Sequence, residues 1–115
     1  ELAFLHDSNA LLASRQFSGN LTVFLVNNQG GGIFENLPVA ELPAFEKCFA
    51  TPQDCNFKML CEAHGVEHYQ PDNWNSLIEL IESSPPSGIR VIEIRTDRKK
   101  DRDTRLELLG FGPDS

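Results

Sequence analysis

A β-branched, apolar run over residues 21–26 ends in two asparagines and, one residue later, three consecutive glycines. Glycine triplets are costly to order, so they are typical of backbone that approaches another group closely or adopts positive φ angles. Paired asparagines after a predicted strand lie where open α/β sheets place their ligands. Two interpretations follow for residues 27–32, which we call the glycine loop. It binds a phosphate or a cation–phosphate pair, or it is a flexible turn.

Predicted helices and strands alternate along the rest of the chain, which is typical of a parallel sheet. The predicted strands cover residues 21–26, 66–69 and 89–94. The predicted helices cover residues 10–16, a segment that begins after a cap at Asp54 or Asn56 and ends at His64, and residues 74–82. The sequence therefore predicts an α/β fold, a three-layer, open, mostly parallel sheet with helices on both faces.

Apolar spacing within these helices predicts which side chains form the core. Leu11 and Leu12 are expected to face inward, and so is one face of the helix over 74–82, formed by Trp74, Leu77, Ile78 and Ile81. Residues 85–88 are predicted to break that helix. Residues 35–54 are predicted to be irregular, and the segment 45–57 is predicted to act as a lid or an interface.

Size and charge limit the functions that the chain can have. A length of 115 residues predicts one domain. The net charge of -7 argues against broad binding to nucleic acids or anionic membranes. A single phosphorylated cofactor remains possible. Three cysteines, Cys48, Cys55 and Cys61, fit neither a disulfide framework nor a CxxC zinc site, and predict reduced core or boundary thiols in a cytoplasmic protein.

The two ends of the chain differ in composition from the rest, with an apolar start and a highly charged end. The chain opens on apolar residues 2–5 with no cap before them, so we expect a piece of a longer polypeptide, truncated on the N-terminal side of the sheet. Residues 97–105 form a charge run that predicts a solvated face or a disordered end, and 97–115 are expected to dock loosely or not at all. Arg95 and Arg98 are predicted to lie at a solvated strand end, with contact to substrate carboxylates as the alternative.

Oxygen ligands for a divalent cation are available on either side of the predicted helix and strand that lead to the glycine loop. They are the carboxylate of Glu1, the side-chain amide of Asn28 and the main-chain carbonyl of Gly30. Magnesium prefers about six oxygens and takes part of its shell from phosphates, so two or three protein groups suffice.

A carboxylate, a helix, a strand and then Asn-Asn resembles the cofactor-binding motif of the thiamine-diphosphate enzymes. The segments LAFLHDSN at 2–9, VNNQGGGIFENLP at 26–38 and VIEIRTDR at 91–98 are similar to one group of these enzymes. That group comprises the carboligating synthases of menaquinone and phylloquinone biosynthesis. The resemblance covers nearly the whole chain and is strongest over residues 2–38.

The resemblance implies a set of site residues. Glu1, Asn28 and the Gly30 carbonyl would complete the shell of a Mg²⁺ or Mn²⁺ ion with two diphosphate oxygens. The cofactor-binding residues would be Leu2, Asn28, Gly30, Gly31, Gly32, Ile33 and Phe34, the last two lining the substrate pocket. No catalytic residue is assigned. The chain departs from the family at residue 1, where Glu1 stands in place of the usual aspartate.

The resemblance also implies an activity for a full-length protein. That activity is decarboxylation of 2-oxoglutarate and addition of the succinyl unit to isochorismate, in a homodimer or homotetramer. The pyrimidine-binding domain of a second subunit would complete the site, so the fragment alone is expected to be inactive. Two alternatives stay open: the same domain of an acetolactate synthase or 2-oxoacid decarboxylase, and a non-catalytic module that keeps the fold.

Overall fold

The computed structural model describes residues 1–83 and 87–110. Its α-helices are α1 (Leu2–His6), α2 (Phe57–Ala63), α3 (Trp74–Glu82) and α4 (Arg98–Leu108), and its strands are β1 (Asn20–Asn27), β2 (Glu67–Tyr69) and β3 (Gly88–Arg95). Tighter 3₁₀ segments cover Ser8–Gln16, Gly32–Asn36 and Pro38–Glu41, and a π-helical turn covers Glu46–Ala50. Pro85 and Pro86, predicted to break α3, lie outside the described residues.

The three strands form one parallel sheet in the order β1-β3-β2. β2 pairs with β3 with His68 opposite Val91. β1 pairs with β3 in the same direction, since the Gly88 N–H donates to the Gly19 carbonyl at 2.7 Å and the Thr96 N–H donates to the Asn27 carbonyl at 3.0 Å. The predicted open parallel sheet is therefore confirmed.

Helices α2 and α3 cover opposite faces of this sheet. The connection from β1 through α2 to β2 crosses the sheet in one direction, and the connection through α3 to β3 returns in the other. Because such connections are right-handed, the two helices fall on opposite faces. A contact agrees with this placement: Arg90 on β3 donates to Ser83, at the end of α3, at 3.2 Å, and to Thr22 on β1 at 2.8 Å.

Local sequence explains where α2 and α3 begin. The Asn56 side chain accepts a hydrogen bond from the Met59 N–H at 3.0 Å, and α2 gives way to Gly65, which has a φ of 67°. Asn73 and Ser76 form a reciprocal capping box at the start of α3. Asn56 is one of the two caps that the sequence predicts for α2.

The described residues fall into two compact units, 3–26 with 55–83 and 87–94, and 1–2 with 27–54 and 95–110. The first unit holds the core cluster formed by Leu11, Leu25, Phe57, Cys61, Val66 and Val91. Burial, with smaller contributions from the charge of Glu93 and from Cys55 and Glu62, raises the pKa of the Cys61 thiol to about 11. Beside this core, His68 contacts Glu93 at 2.8 Å, and both side chains are almost completely buried.

Two core predictions are wrong. Leu12 is 67% exposed while Leu11 is buried. Residues 8–16 form a 3₁₀ segment with about three residues per turn, so adjacent leucines point about 120° apart around its axis. Trp74 is 77% exposed because it is the first residue of α3. Helical side chains lean towards the N-terminus, so it projects beyond the packed turn that buries Leu77.

Other apolar side chains are less covered than the sequence predicts. Ile78 and Ile81 on α3 are about half exposed, as are Phe24 and Val26 on β1. β1 therefore buries one face, through Leu25, and not both. Cys48, predicted to be a core or boundary thiol, is exposed. Among the described residues, none of the helices has both the length and the apolar character needed to cross a membrane.

Candidate functional site

The glycine loop folds back onto the first residue of the chain. The Glu1 carboxylate accepts hydrogen bonds from the backbone N–H of Asn28, at 3.4 Å, and from that of Gly30. Gln29 lies between them with a left-handed φ of 57°, and its N–H donates to the Asn27 side chain at 3.3 Å. The structure thus brings Glu1, Asn28 and Gly30 together.

Close packing within the chain explains all three glycines. A Cβ on Gly30, which has a φ of 135°, would strike the carbonyl oxygen of Ala50. A Cβ on Gly31 would lie 2.7 Å from the ring of Phe34, and one on Gly32 would lie 2.7 Å from the Asn28 side-chain nitrogen. Because the protein's own atoms already fill these positions, the triplet serves close approach as well as conformation.

The amides of the three glycines all donate within the chain. Gly30 donates to Glu1, Gly31 to the Ala50 carbonyl at 2.7 Å, and Gly32 to the Gly30 carbonyl at 3.0 Å. A diphosphate that binds these amides must share or replace those hydrogen bonds. The carbonyl and carboxylate oxygens have further lone pairs, so the same contacts leave room for a cation.

Arg98 ties the glycine loop to two other segments of its unit. Its guanidinium donates to Glu35 at 2.6 Å, to the Gln29 carbonyl at 2.7 Å and to Glu46. Burial alone would lower the pKa of Arg98, but the contacts with Glu35 and Glu46 outweigh burial and raise it. The predictions of a solvated strand end and of a substrate contact both missed this role, because the partners are 52 to 69 positions away.

Asn28 lines two clefts in this unit. The larger, of about 550 Å³, is lined by Asn28, Gly32, Ile33, Asp101, Thr104 and Arg105. The smaller, of about 190 Å³, is lined by Asn28, Gln29, Thr96, Asp97, Arg98 and Lys99. Asn28 is the residue common to both, so its side chain can meet a ligand from either cleft.

The remaining predicted site residues lie in different surroundings. Leu2 follows Glu1 as the first residue of α1. Ile33 is 72% exposed and lines the larger cleft. Phe34 instead packs edge-on against Phe49, with ring centroids 6.0 Å apart.

The sequence reasoning missed the side chains that α4 contributes to the larger cleft. Asp101, Thr104 and Arg105 belong to the charge run, which forms a helix over residues 98–108. A signal for this helix was present at Asp97, whose side chain accepts hydrogen bonds from the N–H groups of Lys99 and Lys100 at 2.9 and 3.1 Å. An aspartate before a helix is a common N-cap.

The donor set at the loop suits a hard cation. Within the part of the chain that the structure describes, no group of three or more His, Cys, Asp or Glu side chains could hold a metal ion. A cation at the glycine loop would therefore use one carboxylate, one amide and one carbonyl. All of them are oxygen ligands of the kind that Mg²⁺ accepts, with phosphate oxygens or water completing the shell.

No protein-family model matches the chain. Curated relatives do. It is 52% identical over 102 residues to a 2-succinyl-5-enolpyruvyl-6-hydroxy-3-cyclohexene-1-carboxylate synthase of Gloeothece citriformis, which covers 88% of the chain and 18% of the relative. The synthases of the same name from Trichodesmium erythraeum and Trichormus variabilis are 48% and 45% identical, over 95% and 100% of the chain. The chain spans only about a fifth of the length of these relatives.

Proposed function

We propose that this chain, which is homologous to one segment of the 2-succinyl-5-enolpyruvyl-6-hydroxy-3-cyclohexene-1-carboxylate synthases, is the magnesium–diphosphate-binding part of such an enzyme. The observation that carries the proposal is the contact of the Glu1 carboxylate with the amides of Asn28 and Gly30. It joins two distant parts of the chain around one set of oxygen ligands.

Three residues would hold the cation. Glu1, Asn28 and the carbonyl of Gly30 would bind Mg²⁺ or Mn²⁺. The carboxylate of Glu1 would take the place of the usual aspartate, although its side chain is one methylene longer. Backbone at Leu2 and at Gly30–Gly32 would contact the diphosphate. Ile33 and Phe34 would line the pocket above it, and the exposed Ile33 side chain supports that role more directly than Phe34 does.

The cofactor of this proposal is thiamine diphosphate, which when bound supplies the carbanion chemistry needed to decarboxylate 2-oxoglutarate and to transfer the succinyl unit to isochorismate. The chain's own contribution is placement. Its oxygen ligands orient the diphosphate through the cation, and its apolar wall at Ile33 shields one side of the pocket from water.

The site proposed here is half of a larger one. The chain carries the diphosphate side, and the pyrimidine-binding domain of a second subunit would complete the site in a homodimer or homotetramer. We therefore expect the isolated chain to have no turnover.

A non-catalytic module is the second candidate, and one observation favours it. The amides of Gly30, Gly31 and Gly32 already have acceptors within the chain, so the loop needs no ligand to satisfy them. Other thiamine-diphosphate enzymes, an acetolactate synthase or a 2-oxoacid decarboxylase, are the remaining alternatives, and the shared name of the relatives argues against them.

A turnover assay of the full-length polypeptide that contains this chain separates these candidates. With thiamine diphosphate and Mg²⁺ present, we expect 2-oxoglutarate to be consumed only with isochorismate as acceptor. Consumption of pyruvate instead, giving acetolactate or a free aldehyde, would indicate one of the other enzymes. Absence of turnover with every donor, in a protein that is folded, would favour the non-catalytic module.

A further inference from the structure

We propose that Arg98 is a positioning residue that fixes the peptide between Gln29 and Gly30, and through it the Glu1–Asn28–Gly30 cluster. The proposal rests on the proposed function, because it assigns Arg98 a part in cation and diphosphate binding. Arg98 itself would contact neither the cation nor the diphosphate.

The three nitrogens of one guanidinium group bind three different segments. Nε donates to Glu35 after the glycine loop, Nη1 donates to the Gln29 carbonyl within it, and Nη2 donates to Glu46 in the π-helical turn. The Arg98 side chain is only 11% exposed, and that of Glu35 is 5% exposed. A planar, five-donor group in such surroundings has little freedom to move.

The contact with Gln29 reaches the cluster through a single peptide unit. The carbonyl of Gln29 and the N–H of Gly30 belong to the same planar, trans peptide, so they point in opposite directions. Arg98 binds the oxygen side of this unit and Glu1 binds the N–H side. The orientation of the unit therefore determines whether the Gly30 N–H faces Glu1.

This peptide unit needs an external restraint. Gln29 has a φ of 57°, a left-handed conformation that is unfavourable for a non-glycine residue. Such conformations persist where neighbouring groups fix them. The Arg98 hydrogen bond to the Gln29 carbonyl is a restraint of this kind.

Charge balance distinguishes positioning from anion binding. The positive charge of Arg98 is paired with Glu35 at 2.6 Å and with Glu46, so a diphosphate would have to compete with two carboxylates for it. A positioning role requires only the contacts of Arg98 with Glu35, Gln29 and Glu46 that are already present.

The test compares variants of the full-length protein by two measurements. One is the affinity for thiamine diphosphate at saturating Mg²⁺, by calorimetry. The other is hydrogen exchange of the backbone amides in residues 28–32. We expect Arg98→Ala to weaken binding on the order of tenfold or more, as supporting contacts behind metal ligands commonly do, and to speed exchange at Gly30. Arg98→Lys should restore neither, because one ammonium cannot serve three acceptors.

A matched variant controls for the loss of a cation from the helix. Lys100→Ala removes an exposed cation two positions along α4. It should leave binding and exchange close to wild type. Exchange of the β3 amides serves as the check that each variant is folded.

The outcomes are distinguishable. Wild-type binding and loop exchange in folded Arg98→Lys or Arg98→Ala would overturn the proposal. If Arg98→Ala does not fold, Arg98→Lys alone decides. If the wild-type protein binds no thiamine diphosphate, the proposed function fails, and faster Gly30 exchange in the Arg98 variants still decides whether Arg98 positions the loop.

Discussion

At the scale of single residues, contacts with backbone atoms leave no room for a side chain at Gly30 and Gly31. Gly30 combines a positive φ of 135° with an Ala50 carbonyl that a Cβ would strike. Gly65 also has a positive φ, 67°, but nothing lies within 4 Å of its Cβ position. Gly30 therefore combines a steric contact with a positive φ, whereas Gly65 has the positive φ without a contact.

Replacing these glycines by alanine should give unequal losses of stability. We expect Gly30→Ala to lower the free energy of unfolding by about 4 kcal/mol, because strain and overpacking add. Gly65→Ala should cost about 1–2 kcal/mol, the conformational part alone. Urea unfolding of both variants measures the difference, and equal losses would show that the Ala50 contact has no energetic role.

Single residues also show where sequence reasoning stops. The proximity of Glu1 to Asn28 was predictable, because the two residues flank one helix and one strand. The partners of Arg98 were not, since Glu35, Gln29 and Glu46 meet it only through tertiary folding. Trp74 has the right helical spacing for the core, and only its place in the first turn of α3 exposes it.

At the scale of elements, predictions succeeded where caps and periodicity agree. The helix over residues 74–82 was confirmed with the same bounds, because Asn73 caps it and its apolar residues repeat at helical spacing. α4 was missed because a run of charges has no apolar stripe, although Asp97 caps it. The segment Ser8–Gln16 is a 3₁₀-helix, whereas an α-helix was predicted over residues 10–16, and it buries Leu11 but exposes Leu12.

The Asp97 cap should make the start of α4 sensitive to acid. The hydrogen bond from the Lys100 N–H, the weaker one from the Lys99 N–H and the charges of both lysines together outweigh the effect of burial and lower the pKa of the Asp97 carboxyl. A lowered pKa means that the cap stabilises α4 above the unfolded value of about 3.9, and that this stabilisation is lost as the pH falls through the folded value.

An NMR titration of the Lys99 and Lys100 amides checks this prediction. Their chemical shifts should move as the pH falls below about 4 in the wild-type protein, because protonation weakens the cap. In Asp97→Asn, whose side chain still caps but does not titrate, the shifts should stay constant over that range. The same movement in both proteins would trace the acid sensitivity to another group.

At the scale of the whole molecule, apolar surface remains uncovered on one side of the sheet. α3 covers the face that carries Arg90, and on that side Phe24 and Val26 of β1 stay about half exposed. Ile78 and Ile81 of α3 are also about half exposed. The sequence does not reveal these exposures, because the spacing of the apolar residues in β1 and α3 predicts that they are buried.

The single tryptophan reports on this surface in the 115-residue chain. Because Trp74 is 77% exposed, acrylamide should quench its fluorescence almost as strongly in the folded chain as in urea. A variant that combines Val91→Trp with Trp74→Phe provides the control, because Val91 is fully buried. In the folded variant, acrylamide should quench the fluorescence of the new tryptophan only weakly. Strong protection of Trp74 would mean that α3 packs more deeply than described.

The central claim is that Glu1, Asn28 and Gly30 bind a cation and, through it, a diphosphate. Calorimetry of thiamine diphosphate binding to the full-length protein, with and without Mg²⁺, tests it most directly. We expect Mg²⁺-dependent binding in the wild-type protein that Asn28→Ala abolishes and that Asn36→Ala, at an exposed asparagine of the same unit, leaves intact. Unchanged Mg²⁺-dependent binding in Asn28→Ala would contradict the claim.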